Sequence, residues 1–347
     1  MLSSLLQSLP RRRWKLLDFS NATFARIPEH HKIEEEKFPD YVASRYYPTR
    51  IGELIKERYQ VVGKLGLGLH RLLPRRYVVL KICVQASFMA EKVDDELKMY
   101  RYIEWSPCGH PGRDAIRTLL DTFDIEGPHE KHRYLVHHPS WESVLTFLRR
   151  NPVERLPSMA LAVVLYRMFL ALDYLHTECH IVHTDIKTDN IMIGIKDDSV
   201  CVDLEEEQLQ QPIPMEQVDA DGRTIYISRE LMVPKNKGLL VLCDFGSAMF
   251  GDQYHSEFVQ PNVYRAPEVI LEAPWTWGHL FAGYVPEFQK YRSRAHLAEI
   301  INLLGPPPAS LLAQGKLRDK FCSDDGKFLT ENLLTDQVPL EERETTL

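Results

Sequence analysis

The sequence predicts an α+β fold in two lobes, one small and β-rich, the other mainly helical. Three observations lead to that expectation. Apolar alternation and β-branched runs recur between Tyr59 and Pro139, helical periodicity takes over after Pro139, and 347 residues suit one large two-lobed domain or two ordinary ones. Apolar residues at 44% and charged residues at 26% are the proportions of a soluble globular chain. A net charge of −7 and a pI near 6.1 provide no field to hold nucleic acid. The six cysteines are scattered without a CxxC pair, which argues against a zinc cage or a disulfide framework and for a reducing compartment.

Residues 1–58 carry prolines, mixed charge and little periodicity, and read as an N-terminal extension. Their opening, MLSSLLQSLPRRRWKLL, has no acid before Asp18, which suits a disordered basic leader or a mitochondrial transit peptide. The β-rich lobe is expected over 59–138. In it, IGELIKERYQVVGKLGLG starts the alternation of a strand, and RYVVLKICV (76–84) is a β-branched strand carrying Lys81. SFMAEKVDDELKMYRYI places Met89, Val93, Leu97 and Tyr100 on one helical face, with Glu96 at its border. HRYLVHHP (132–139) is a further strand ended by Pro139.

The helical lobe is expected over 139–305. SVLTFLRRN opens it, followed by MALAVVLYRMFLALDYL (159–175), for which Ser158 would be the cap. Arg167 interrupts that run, which is expected to be a core helix and not a membrane span. The acidic, proline-bearing VCVDLEEEQLQQPIPMEQVDADGRT (200–224) reads as part of a surface insertion at about 194–238. LLVLCDFGSA (239–248) is a buried strand entering a turn. From Gly305 onward GPPPAS and a polar tail, 306–347, suggest that the ordered domain is running out.

Within IVHTDIKTDNIMI (181–193) several polar groups sit in an apolar frame. Asp185 and Asn190 stand five apart, joined through Lys187, and Asp244 follows Asp185 by 59 residues. An acidic base, a lysine and two hard oxygen ligands are the parts that phosphoryl transfer to a hydroxyl requires. Asp185 can accept or orient the hydroxyl proton, Lys187 can offset charge on the phosphoryl group, and Asn190 with Asp244 can hold Mg²⁺. The frame would exclude water and strengthen those electrostatics. Blander readings stand beside these: Asx residues that only make turns, a structural His183 bonded to backbone near the DFG turn, a core Cys243, and a solvated DLEEE (203–207) face.

In their order over roughly residues 59–272 these motifs resemble the eukaryotic protein kinases. LGLG is similar to the start of the glycine-rich loop, VVLK to the lysine strand, HTDIKTDN to the catalytic loop, DFG to the magnesium loop and YRAPE (264–268) to the end of the activation segment. The resemblance implies a kinase fold using ATP and Mg²⁺, with Lys81 on the α- and β-phosphates and Glu96, or less well Glu91, as its ion-pair partner. It implies Leu65, Gly66, Gly68 and Val79 around the nucleotide, His137 and His138 in the hinge beside adenine, and Asn190 and Asp244 on the metal. Thr184 in the usual arginine position, the insertion before DFG and FPDYVASRYYPTRIGELIKERYQVVGKLG resemble the SR-protein kinases, especially fungal SRPK-like members. The narrower resemblance implies transfer to serine in arginine/serine-rich proteins. The expected enzyme is monomeric, in cytoplasm and nucleus, with no direct nucleic-acid or membrane partner.

Departures from the family pattern carry expectations of their own. Only 13 residues separate Gly68 from Lys81, so a complete hairpin is not expected to fit. TWGHLFAG follows APEVILEAPW directly, so the helix that anchors the catalytic loop is expected to be missing. Its loss would uncover part of the 181–193 frame, at roughly 1.5–3 kcal/mol for each large side chain. The chain also stops before the family's last helices. The alternative function is therefore a pseudokinase or truncated form that acts as a protein-binding decoy. A small-molecule phosphotransferase, which shares the H-x-D-x-x-x-x-N loop, is a third reading, against which YRAPE weighs.

Overall fold

The computed structural model describes residues 16–334 apart from 20–23, 29–30, 40, 66–68, 73–75, 84–89, 108, 129–130, 154, 219–222, 252–258, 262–264, 266, 271–283, 286–289, 292 and 331–333. Its helices are α1 (Ala90–Trp105), α2 (Val144–Arg150), α3 (Ser158–Thr177), α4 (Ser199–Gln210), α5 (Pro267–Ile270), α6 (Ser293–Leu304), α7 (Ala309–Gln314) and α8 (Arg318–Phe321). Two compact units result. The first comprises Met1–Ala90, Arg117–Glu142 and Ile193–Leu239; the second comprises Glu91–Ile116, Ser143–Met192 and Leu240–Leu347.

The first unit is built on β1 (Leu54–Ile55), β2 (Tyr59–Gly63), β3 (Leu69–Leu72), β4 (Arg76–Ile82), β5 (Leu119–Glu126) and β6 (Lys131–His137). They form one antiparallel sheet in the order β1-β2-β3-β4-β6-β5. The expectation that a hairpin would not fit between Gly68 and Lys81 is corrected here. β3 pairs with β2 from Tyr59–Leu72 to Gly63–Leu69, and with β4 from Leu69–Val79 to Leu72–Arg76. A strand of four residues suffices, so the shortening costs length and leaves the ladder whole.

Val78 and Leu80 of β4 join Tyr59, Val61, Tyr134 and Val136 in a buried cluster on one face, with Ile82 packed against it. Because strand side chains alternate, Val79 and Lys81 belong to the other face. Stacking of Tyr59 on Phe123 (5.4 Å) and of Phe123 on Tyr134 (5.3 Å) closes the cluster.

The remaining strands are β7 (Ser140–Ser143), β8 (Ile181–Val182), β9 (Ile191–Ile195), β10 (Met215–Val218), β11 (Arg223–Tyr226), β12 (Lys237–Leu242) and β13 (Met249–Phe250), before two short strands at Tyr284–Val285 and Lys290–Tyr291. The insertion is less superficial than its composition suggests. Val200, Cys201, Leu204, Ile213, Ile225 and Leu231 are buried, because Val200, Leu204 and Gln208 recur at helical spacing while Asp203, Glu206 and Glu207 between them are exposed. The extension is anchored too. Gln60 bonds both Leu17 backbone groups, and Met215 exchanges backbone bonds with Ala25 and Ile27.

In the second unit Ser158 is the first helical residue of α3, and Pro157 holds the cap position without a side-chain bond. The expectation that the whole α3 run is core is also corrected. Arg167, Met168, Ala171, Tyr174 and Leu175 are buried, whereas Met159, Leu161, Val163, Leu165, Tyr166 and Phe169 are exposed. Packing concentrates on the later turns, where Arg167 donates to the carbonyls of Leu240 (3.1 Å) and Asp114 (2.5 Å). The 181–193 frame, expected to be partly uncovered, is closed: Ile181, Val182, Ile191 and Ile193 are buried, and Val182 packs with Val269, Met249 and Val259. The expected missing helix falls in 271–283, outside the described residues. The chain after Gly305 does not run out of order there, since Leu312, Phe321, Cys322 and Phe328 share a core with Ile270, Leu297 and Ile301.

Candidate active site

The loop between β8 and β9 carries HTDIKTDN, and β12 leads into DFG. His183 makes two bonds to backbone, one of which joins these segments. Its Nε2–H donates to the Cys243 carbonyl (2.9 Å), and its Nδ1 accepts from the Asp185 amide (3.3 Å), an arrangement that only the neutral ring satisfies. Burial holds its pKa below the usual histidine value, with the Cys243 carbonyl opposing. The ring also meets Phe245 edge-on at 4.9 Å. His183 is thus the structural histidine that the blander reading describes. Asn190 closes the same junction by accepting the Cys243 amide at its backbone carbonyl (2.8 Å).

Asp185 is the centre of the polar network. Lys187 Nζ donates to both its carboxylate oxygens (2.8 and 3.1 Å), and Asn190 Nδ2 donates to its Oδ2 and its backbone carbonyl (both 2.8 Å). A carboxylate gripped in this way keeps one orientation, which is what a group that steers a hydroxyl proton needs. With its amide N–H groups turned to Asp185, Asn190 has its side-chain oxygen as the atom it can offer a cation. Spacing in the sequence groups these three residues, and in the structure they are in contact.

Thr184 (φ 61°) and Asp244 (φ 66°) occupy the left-handed region, which costs a non-glycine residue roughly 1–3 kcal/mol. The Thr184 hydroxyl donates to the Ser247 carbonyl and so ties the loop to the residues after DFG. That bond was not legible in the sequence, where Thr184 was notable only as the residue replacing an arginine. Gly246 matters for space: a Cβ there would lie 3.5 Å from Asp244 Oδ1 and 3.7 Å from Glu96 Oε2. Two carboxylates thus converge on one glycine, Glu96 from a buried turn of α1 whose Tyr100 meets Phe245 edge-on at 5.2 Å. The donors that would serve Mg²⁺ are the Asp244 carboxylate and the Asn190 side-chain oxygen, both of the hard-oxygen kind the ion takes; among the described residues no group of three or more His, Cys, Asp or Glu side chains forms a metal cluster.

On the first unit Lys81 pairs with Leu135 of β6, and Val79, which is buried, pairs with His137. His137 is buried, its Nδ1 bonds the Thr118 carbonyl (3.0 Å), and it pairs across the sheet with both Val79 and Leu119. Burial, aided by the Arg117 charge and opposed by the Thr118 bond, pushes its pKa down to about 3. His138 is exposed and Leu65 half-buried. Gly66, Gly68 and the side chain of Glu91 lie outside the described residues. At the end of the activation segment Arg265 donates to the carbonyls of Val259 (3.4 Å) and Gln260 (3.3 Å).

No protein-family model matches the chain. Curated relatives do. A serine/threonine protein kinase of Aspergillus fumigatus is 34% identical over 325 residues, covering 86% of this chain and 77% of that protein. The serine/threonine-protein kinase SRPK of Physarum polycephalum is 28% identical over 338 residues, 85% of this chain and 78% of that protein. Human SRSF protein kinase 3 is 32% identical over 171 residues, 47% of this chain and 30% of that protein. Among solved structures a kinase domain superposes with a TM-score of 0.61 at 20% identity, over 86% of this chain and 89% of that one, which speaks for the fold.

Proposed function

Since this chain belongs to the serine/threonine protein kinases, we propose that it is of the SR-protein kinase type and transfers the γ-phosphate of ATP to serine side chains in arginine/serine-rich proteins. The observation that carries the chemistry is the Asp185 carboxylate, held at once by Lys187 and Asn190. In this reading Asp185 orients the substrate hydroxyl and receives its proton, while Lys187 offsets charge on the transferring phosphoryl group. Lys81 holds the nucleotide phosphates. Asn190 and Asp244 hold Mg²⁺, which when bound offsets phosphate charge. Val79 and the His137 main chain border the adenine.

The substrate class rests on two supports. One is the likeness to human SRSF protein kinase 3. The other is electrostatic: a net charge of −7 draws in arginine-rich segments and repels acidic ones. The test is phosphate transfer from labelled ATP to an arginine-serine repeat peptide, beside the same peptide with glutamine for arginine. The expected result is at least a tenfold preference for the arginine form, narrowing as salt screens the attraction. Equal labelling of both peptides would remove the substrate assignment and leave the kinase assignment standing.

A further inference from the structure

Away from the catalytic loop, the first unit contains a cavity of about 540 Å³. It lies on the sheet face opposite Lys81. Its floor is Val61 of β2 and Ile82 and Cys83 at the end of β4, and Val61 belongs to the buried cluster on that face. Three stretches remote in sequence make the walls: the extension with Phe38, Tyr46 and Tyr47, the sheet itself, and β11 with Ile225 and Tyr226. The volume falls within the range of pockets that take small organic molecules.

The polar groups around it are already matched. Lys64 Nζ is 2.6 Å from Glu35 and 4.0 Å from Glu34. Glu34 accepts from the Ser228 amide (2.9 Å) and hydroxyl (3.0 Å). The Arg223 guanidinium donates to the carbonyls of Ala43 and Tyr46 and lies 5.8 Å from the Tyr46 ring centroid. Two carboxylates against one ammonium and one guanidinium leave no formal charge for a ligand to neutralise. Aromatic walls favour a flat ring, which stacks or meets edges at low entropic cost.

An extended peptide fits poorly. Peptide strands add to sheet edges, whereas this cavity opens on a sheet face. Backbone amides around it are also spent: Gly52 on the Val61 carbonyl (2.8 Å), Val61 on Glu53 (2.9 Å) and Ile51 on the Tyr226 hydroxyl (3.4 Å).

The geometry points to a binding site for a small, uncharged aromatic or heteroaromatic molecule, separate from the nucleotide site and walled by the N-terminal extension and the insertion hairpin. Such a ligand would bridge those two segments to the strand that carries Lys81.

The test uses the full chain and two probes, 5-fluoroindole and its charged analogue 5-fluoroindole-2-carboxylate, followed by ¹⁹F line broadening. The neutral probe is expected to saturate with ATP and Mg²⁺ present at saturation, and the carboxylate to bind at least tenfold more weakly. Thr224→Trp, which fills the cavity from a half-buried position, and Phe38→Ala, which removes a wall ring that is 59% exposed, should each weaken the neutral probe at least fivefold. Peptide mapping after N-ethylmaleimide treatment gives a readout that needs no variant, since Cys83 lines the cavity and should be alkylated more slowly with probe bound. Displacement of the probe by ATP, equal affinity for both probes, or unchanged Cys83 labelling at probe saturation would overturn the site. Should Thr224→Trp fail to fold, judged by its melting curve, Phe38→Ala and Cys83 protection decide.

Discussion

Asp185 is held by two donors from its own loop, which makes it the position where one atom's chemistry can be separated from architecture. Asp185→Asn keeps the shape and removes the proton acceptor. The expected result is a loss of turnover of about 10²–10⁴-fold, with ATP affinity nearly unchanged, read by single-turnover transfer and by nucleotide titration. Asp244→Ala deletes the carboxylate proposed to hold Mg²⁺, at a left-handed position. Mg²⁺-dependent ATP binding should fall while Mg²⁺-independent binding persists; identical titrations with and without Mg²⁺ in wild type and variant would contradict the metal role. Both residues were legible in the sequence because HTDIKTDN and DFG name them by spacing. The tautomer of His183 was not, since it depends on the Cys243 carbonyl 60 residues away.

Helices and loops meet closely in the second unit, and two contacts there can be tested as elements. Gly112 lies in the turn Pro111–Ala115 against α3, where a Cβ would come within 1.8 Å of the Leu170 carbonyl oxygen and 2.7 Å of Tyr174 Cβ. Backbone cannot yield as a flexible side chain does, so Gly112→Ala should destabilise the chain by roughly 1–3 kcal/mol, measured by urea unfolding. The activation segment is the second case. Where an arginine before the catalytic aspartate would read a loop phosphate, Thr184 bonds the Ser247 carbonyl directly. Of the acceptors in that segment, Ser247 is described and Tyr254, Ser256 and Tyr264 lie outside the described residues. Phosphatase treatment, verified by mass spectrometry over 247–264, should leave the transfer rate unchanged, whereas Thr184→Val should lower it. A rate that falls on dephosphorylation and returns on rephosphorylation would refute the idea.

For the molecule as a whole, buried neutral histidines make acid the sensitive direction. Burial lowers the pKa of His137 to about 3 and that of His176 to about 4, and lowers that of His183. The unfolded chain binds protons at these rings below about pH 6.5 while the folded chain does not, so stability is full above that value and is lost as pH falls. Between pH 6.5 and 5.5 His137 alone should cost about 1 kcal/mol. Unfolding titrations across that window should show the loss, and His137→Asn should flatten it. An equally steep fall in the variant would mean that carboxylates govern the acid limb.

The sequence alone determined the elements whose signals are local: the strands around Lys81 and Leu135, the helix carrying Glu96, the loop of Asp185, Lys187 and Asn190, and through their order the kinase family. Periodicity and motif spacing are properties of a few consecutive residues, so no folding is needed to read them. Tertiary structure decided what depends on distant segments. It closed the hairpin that 13 residues were expected not to allow, buried one face of the insertion that composition placed at the surface, and covered the 181–193 frame. It also left the first turns of α3 exposed although their composition reads as core. Burial is set by the neighbour that arrives in space, and a side chain carries no record of that neighbour in its own stretch of chain.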